Sequence, residues 1–598
     1  MFQSNLQPTA SELLSLVVKS VRSAGDMLRA EFHRAGGPRR HGSEALIDSE
    51  IEAFLKERLL TLYPCGFIGE ETAPRTATQG DFWVVDPQDG TADFLAGRRG
   101  SAISVALVRD GRPILGVVLA PLAPDDDGDL VSWADGGELA RNGKPVGSRE
   151  LAKPMIVAMN ANAADHARHN QQTLPNVRIL ALPSPAYRLA LAAVGDVDAA
   201  VSLVDGLDPW DLAGGHALLI GSGGKLCELS GRPIAYDRRG YHGCIGGHPE
   251  AVSMLLALSP SRGPKEPALR TLSPRRTADP QLLARAQGCL LGQLAGDALG
   301  SAVEFCSAET IARKYPDGVL TLKDGGTWDL IAGQPTDDGE MALALGRSLV
   351  AARGYDVGAV SQAYVRWGRS HPFDMGLTTR EALKALAAGH RAQSDSQANG
   401  ALMRVSPIGI AAAGAPALAA MLASSDARLT HSHPICQAAS AAYAAAIAMG
   451  VEGGDAEAMF DVADKYAGTG RGALVIRERL AQARRQECPD DYFRQTGWVL
   501  TAFQNAFYHL ARGTPLAEAL MTTVARGGDT DTNAAICGAL LGAVQGRDAV
   551  PLQWRNALLT CRPMDVAGVT HPRPQEYWPD DAMELAEALL TINSTENM

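Results

Sequence analysis

Residues 259–280, SPSRGPKEPALRTLSPRRTADP, divide this chain. Five prolines, several basic residues and no apolar period leave nothing that could carry a helix or strand through the segment, so it reads as a linker. At the usual size of roughly 100–200 residues per domain, 598 residues could hold three or four domains. The seam instead sets two large blocks, residues 1–258 and 281–598, each long enough to bury its own core.

The two blocks differ in texture. Before the seam, strand-like and helical runs alternate. DFWVVD at 81–86 has the pattern of a buried strand, and 101–121 reads as two strands around a turn at Asp110-Gly111. Helical periods occupy 11–30 and 48–62. After the seam, alanine- and leucine-rich helical segments take over, among them 280–299, 338–352, 440–449 and 533–544. The expectation is an α/β domain joined to an all-α domain. No period of 20–50 residues indicates a solenoid.

A formal net charge of -12 disfavours general, metal-free binding of nucleic acid. It does not exclude small phosphorylated substrates, because a bound cation inverts the local field. The nine cysteines are scattered without CxxC spacing, as expected of reduced thiols in a cytoplasmic protein. The first residues carry no signal-peptide pattern, and no uninterrupted apolar run of about 18 residues offers a membrane span.

In the first block, acidic clusters stand at element ends: Gly69-Glu70-Glu71, Asp86-Pro87-Gln88-Asp89-Gly90-Thr91, and Trp210-Asp211-Leu212-Ala213-Gly214-Gly215. Asp86 is expected to end a strand, Pro87 to turn the chain, and Asp89 to come back to the same side. Gly90 and Thr91 then open a helix whose free N–H groups suit an anion. Two carboxylates there would hold hard cations beside a phosphate. A turn and an N-cap explain one such pair, but not three clusters in series.

These motifs, GEE, then WVVDPQDGTADF at 83–94, then PWDLAGG at 209–215, resemble the inositol monophosphatase-like family of magnesium-dependent phosphatases. The resemblance implies a layered αβαβα sandwich that hydrolyses a phosphate monoester of a sugar or nucleotide. By position, Glu70, Asp86 and the Gln88 carbonyl would hold one Mg²⁺, and Asp86, Asp89 and Asp211 a second. Thr91 with Glu70 would orient the attacking water, and the Gly90 and Thr91 amides would bind phosphate. Asp48 matches the acidic position near a third, weaker metal. The Lys and Thr that usually precede it are absent from 39–48, the usual Asn is Asp93, and the second Ala of WDxAAG is Gly214.

The second block has its own set: GDALGSAVE at 296–304, Thr336-Asp337-Asp338, and Asp529-Thr530-Asp531-Thr532, the last two opening helices. Glycines at helical spacing near the first explain themselves by close helix packing. N-capping accounts for one acidic residue per helix start. Four aspartates with Thr336 and Thr532 at two helix starts are better explained by a shared, oxygen-ligated Mg²⁺ pair.

Together with NGALMRVSP at 399–407 and THSHP at 430–434, these motifs resemble the ADP-ribosylglycohydrolase family, which has an all-α fold. The resemblance implies two Mg²⁺ on Thr336, Asp337, Asp338, Asp529, Asp531 and Thr532, gripping the hydroxyls of the distal ribose while water attacks its anomeric carbon. Asp338 and Glu304 would act in catalysis, Glu304 as a mobile acid facing the ribose. Asn399, Gly400, Ala401 and His431 would line the diphosphate–ribose pocket. Gly339 stands where Thr is common.

The reading is thus a bifunctional, Mg²⁺-dependent hydrolase with two metals in each domain. Its partners would be a phosphorylated small molecule and an ADP-ribosylated protein or ADP-ribose derivative, with a homodimer as the resemblance suggests. A competing reading makes the first block a non-catalytic binding or dimerisation module. A third makes both halves sensors without turnover.

Overall fold

The computed structural model describes residues 8–72, 80–147, 150–265 and 277–592. The chain forms two compact units, Met1–Ala268 and Leu269–Met598. Part of the expected linker, 266–276, lies outside the described residues.

The first unit is layered. Helices α1 (Ala10–Phe32) and α2 (Leu46–Leu62) lie on one face of a seven-stranded sheet. Its strands run in chain order: β1 (Gly66–Gly69), β2 (Phe82–Asp89), β3 (Ala102–Arg109), β4 (Arg112–Ala120), β5 (Asp129–Ala134), β6 (Ala140–Arg141) and β7 (Lys144–Pro145). Within this sheet, among the described residues, only β1 and β2 pair in parallel. Helices α3 (Pro185–Val194) and α4 (Pro209–Gly221) fill the space between this sheet and a second one. The second sheet has the order β9-β8-β10-β12-β11, from β8 (Met155–Asn160), β9 (Val177–Leu182), β10 (Ala199–Leu207), β11 (Lys225–Cys227) and β12 (Tyr241–Gly247). Its far face packs on Ala251, Val252 and Leu255 of the helix Pro249–Leu258. This is an αβαβα sandwich.

The apolar run in β2 follows from that layering. Side chains alternate across a strand. Trp83 and Val85 enter the core beneath α1 and α2, while Phe82 and Val84 enter the core on the other side. A strand buried on both faces has no polar positions to spare. The expected hairpin at 101–121 is present as β3 and β4, and Asp110 takes a positive φ of 49° at its turn.

The second unit is helical; its β pairings, among the described residues, are isolated bridges. Its centre is α5 (Pro280–Gly300) packed along α9 (Thr530–Gln545). Between them in sequence lie α6 (Asp337–Ala352), α7 (Val357–Arg369) and the alanine-rich α8 (Pro434–Glu452). By length and composition α8 could cross a membrane, but 78% of its most apolar window is buried inside the fold.

Gly288, Gly292, Gly296 and Gly300 recur every four residues on one face of α5. A methyl group on Gly292 would overlap the Gly538 carbonyl, one on Gly296 the Ala534 carbonyl, and one on Gly300 the backbone of Asp531. The backbones of α5 and α9 therefore touch. Gly292→Val has no room and should destabilise the unit by roughly 1–3 kcal/mol, the usual cost of overpacking. A lower midpoint in urea unfolding checks this; an unchanged midpoint would mean the two helices are not in backbone contact.

Candidate metal centres

In the first unit, β2 does not stop at Asp86. It continues to Asp89, and its pairing with β3 slips from Asp86↔Ser104 to Asp89↔Ala102. This corrects the expected turn at Pro87. One extra residue in β2 forms a bulge, which turns Asp89 to the side that Asp86 already faces. The helix that follows, Thr91–Leu95, is only five residues long, and Gly90 precedes it with a φ of 97°.

Asp86, Asp89 and Asp211 present carboxylate oxygens that all lie within 4.8 Å of one another. Each is also held by an N–H group. Asp86 Oδ1 accepts from the Gln88 amide at 2.9 Å. Asp89 Oδ2 accepts the Ser184 hydroxyl at 2.5 Å and the Ala186 amide at 2.6 Å, both at the start of α3. Asp211 Oδ2 accepts the Asp208 amide at 2.6 Å in a capping box opening α4. Close approach of α4 to the sheet explains Gly214: a methyl there would overlap Ser104 Oγ.

Glu70, directly after β1, is not among these three but lies close enough to Asp86 and Asp211 to interact with their carboxylates. Glu52 of α2 fixes its turn by accepting the Glu71 amide at 2.7 Å and the Thr72 hydroxyl. The Thr91 hydroxyl donates to the Gln88 carbonyl at 2.9 Å, with Asp48 Oδ2 at 3.3 Å. Asp48 is buried, and its Oδ1 has no hydrogen-bond partner among the described residues. The basic residue Arg39, upstream of Asp48, pairs with Glu31 at 2.8 Å and Glu50 at 3.0 Å.

Burial, then mutual repulsion, raises these carboxyls far above the usual carboxylate range. Asp48 is pushed up to about 8 by burial and by Glu70, and Asp211 to about 8 by burial and by Asp89. Burial alone is the leading cause for Asp89, at about 7, and Asp86 is raised as well.

In the second unit the α5–α9 contact places Asp297 and Asp531 side by side. Asp297 accepts the Thr336 amide at 3.0 Å, the Thr336 hydroxyl at 2.9 Å and the Gly339 amide at 2.8 Å. It thus caps α6 from a different helix. A methyl on Gly339 would come within 2.6 Å of Asp297 Oδ2, which accounts for glycine at that position.

Oxygens of Asp297, Asp338 and Asp531 lie within 4.8 Å of one another, as do those of Glu304, Asp374 and Asp531. Asp338 Oδ2 accepts the Thr532 hydroxyl at 3.1 Å, whereas its Oδ1 is buried without a partner among the described residues. Asp337 lies beside Asp374 and Glu304 in the same field of charge. Burial and Asp374 push Glu304 up to about 8, and it accepts the Trp328 indole N–H at 2.6 Å. Asp529 Oδ2 accepts the Asn399 side-chain amide at 2.7 Å.

The loop at 399–407 is pinned from below. Arg404 is fully buried, donates to Asp426 Oδ2 at 2.9 Å and to the Gly400 carbonyl at 3.1 Å, and lies over Tyr364. His431 is buried beneath Gly400, 2.8 Å from Thr430 Oγ1, and burial drives it down to about 3. Ala401 is fully buried as well. Of this set, Gly400 keeps partial exposure.

Sequence reasoning did not single out Asp374, in the loop between α7 and the helix Leu377–Ala387, nor did it give Asp297 a place in the centre. Asp297 lies inside the GDALG pattern, whose glycines at helical spacing read as a packing feature. Asp374 follows His371-Pro372-Phe373 with no recognisable spacing to the other acids.

Comparison with known proteins agrees with this division. The inositol monophosphatase family matches residues 9–259, and the ADP-ribosylglycohydrolase family matches residues 278–595. The chain is 32% identical over 289 residues to the ADP-ribosyl-[dinitrogen reductase] glycohydrolase of Rhodospirillum rubrum, covering 47% of this chain and 92% of that protein. It is 30% identical over 244 residues to inositol monophosphatase 3 of Solanum lycopersicum, covering 37% of this chain and 88% of that protein. It is 26% identical over 296 residues to the ADP-ribosylarginine hydrolase Tri1 of Pseudomonas putida, covering 48% and 75%. The chain therefore belongs to two hydrolase families in series, an inositol monophosphatase domain followed by an ADP-ribosylglycohydrolase domain.

Proposed function

We propose that the chain is a bifunctional Mg²⁺-dependent hydrolase. The second domain releases ADP-ribose from an ADP-ribosylated side chain, and the first removes a phosphate monoester from a sugar or nucleotide. The observation that carries this reading is the convergence of carboxylate oxygens, three groups of them within 4.8 Å, on buried and half-buried positions, with unpartnered oxygens on Asp338 and Asp48. Hard cations with oxygen ligands fit such a donor set.

In the first domain Glu70, Asp86, the Gln88 carbonyl, Asp89 and Asp211 would hold the metals. In the second, Thr336, Asp337, Asp338, Asp529, Asp531 and Thr532 would do so, with Asp374 beside them. When bound, Mg²⁺ would supply Lewis acidity and lower the pKa of water. The chain's own residues do the rest. Thr91, turned by the Gln88 carbonyl and Asp48, orients water toward a phosphate held at the Gly90 and Thr91 amides. In the second domain Glu304 and Asp338 face the ribose, where their charge favours an oxocarbenium-like transition state. Asn399 and Gly400 shape the pocket for the diphosphate, with Ala401 and His431 supporting that loop from the interior.

ADP-ribosylated arginine is the first substrate to try, as the Pseudomonas putida relative is named for it. Fusion of the two hydrolases suggests one route, and ADP-ribose 1″-phosphate is the substrate that joins them. Nine free thiols suit a reducing compartment, in keeping with a cytoplasmic protein.

Two outcomes test the reading. Asp531→Asn should lower kcat/KM for ADP-ribose release by about 100-fold or more while sparing phosphate release, and Asp89→Asn should do the reverse. Chromatographic detection of ADP-ribose and colorimetric phosphate measure both in parallel. A wild-type chain that releases phosphate from neither ADP-ribose 1″-phosphate nor inositol monophosphate would leave the first domain as a binding module.

The second outcome is a dependence on pH. Asp48, Asp211 and Glu304 near 8, and Asp89 near 7, lie above the roughly 4 expected of the unfolded chain. A raised folded value means that the stability these groups give is complete below about pH 4 and is lost as the pH rises through 7–8. Added Mg²⁺ should offset that loss, so it should raise the thermal midpoint more at about pH 8 than at about pH 6. Melts with Mg²⁺ or chelator at both pH values check this. An equal gain at both would mean these carboxyls do not receive the cation.

A further inference from the structure

Asp374 has no regular element beneath it, yet its carboxylate reaches the group formed with Glu304 and Asp531. Its segment is held at two points. At the first, the Arg573 guanidinium is almost wholly buried and grips Glu340 with both arms, Nε to Oε1 at 2.6 Å and Nη2 to Oε2 at 2.8 Å. The same guanidinium donates to the Ser370 carbonyl at 2.9 Å and the Ser370 hydroxyl at 2.8 Å. Glu340 sits in the first turn of α6, just beyond Asp337 and Asp338, and also accepts the Trp367 indole N–H at 2.7 Å. One side chain thus ties the ligand-bearing start of α6 to the end of α7, four residues before Asp374. His371, directly after the gripped serine, takes a φ of 54°.

At the second point, the Phe373 ring packs against the Trp328 ring, centroids 5.8 Å apart, and the His571 ring, centroids 4.6 Å apart. Trp328 is the group that holds Glu304. The segment is therefore held at Ser370 and Phe373, directly before Asp374.

We propose that Arg573 is a positioning residue for the second centre: by cross-linking Glu340 to Ser370 it sets Asp374 against Asp531 and Glu304. A stability role alone accounts poorly for it, because a buried ion pair is often replaceable by apolar side chains without loss of stability. Lysine cannot reproduce its two-armed grip. The proposal rests on the reading of this cluster as a metal centre.

The experiment uses the full chain carrying Asp89→Asn, so that Mg²⁺ binding reports the second centre. Arg573→Lys should keep a cooperative melt, weaken calorimetric Mg²⁺ affinity about tenfold or more, as supporting partners of metal ligands do, and lower kcat for ADP-ribosylated arginine with little change in KM. Glu340→Gln, nearly the same shape, should move both in the same direction. Asp374→Asn should weaken Mg²⁺ binding at least as much as Arg573→Lys. Mg²⁺ affinity and kcat within about twofold of the parent in Arg573→Lys, whatever its melting temperature, would overturn the proposal. So would unchanged binding in Asp374→Asn. If the parent cleaves no ADP-ribosyl compound but its Mg²⁺ affinity still depends on Arg573, the hydrolase reading fails and the positioning role stands.

Discussion

Backbone contact between α5 and α9 is the constraint on which the second domain depends. With any side chain larger than hydrogen at Gly292 or Gly296 the two helices would separate, and Asp297 and Glu304 would move away from Asp531. The glycines carry an entropic cost within a helix, roughly 0.5–1 kcal/mol each relative to alanine. What they give in return is position, since no flexible side chain stands between the two acidic helix ends. The first domain uses the same means on a smaller scale, where Gly214 lets α4 reach Ser104 of the sheet and brings Asp211 to Asp86.

Capping and metal binding compete in a sequence, because either explains an aspartate at a helix start. In the folded chain the same residues serve both the caps and the acidic clusters. Asp89, Asp211 and Asp297 each commit an oxygen to the N–H groups that open α3, α4 and α6. The hydrogen bond fixes the carboxylate plane, and oxygens of the same residues converge on their neighbours. The helix starts therefore orient the acids, Asp211 from its own helix, and Asp89 and Asp297 from a strand end and from another helix.

Local pattern makes much of this legible. The doubly buried strand, the hairpin at Asp110-Gly111, both fold classes and the acidic helix starts all follow from period and spacing. What the pattern missed is non-local. The bulge in β2 depends on its pairing with β3, so from local sequence Pro87 reads as a turn. Asp374 becomes visible only when Arg573, far along the chain, is seen to hold Ser370. His431 stood out as a pocket residue by motif alone, but its burial under Gly400 depends on how α8 and its neighbours pack. Gly214 and Gly339 departed from their motifs, and each departure has a steric cause in Ser104 and Asp297.

Magnitudes decide what balances these clusters. The helix starts favour the carboxylates by about 0.3–1 kcal/mol each near the surface, and up to about 2 in buried geometries. Removing an ion from water costs several kcal/mol even after relaxation, and neighbouring like charges add to it. The raised pKa values of Asp86, Asp211, Asp338 and Asp531 show that burial and repulsion win over the N–H groups. Among the described residues, the buried bases near these acids are committed to other partners. Arg188 lies beside Asp89, but its guanidinium donates to the carbonyls of Leu182 and Pro183 and to Ser202. Arg404 is committed to Asp426, and Arg573 to Glu340. With the nearby cations occupied elsewhere, charge balance near neutral pH must come from protons or from bound metal. Protons would consume the oxygens that the fold has turned inward, whereas a divalent cation uses them.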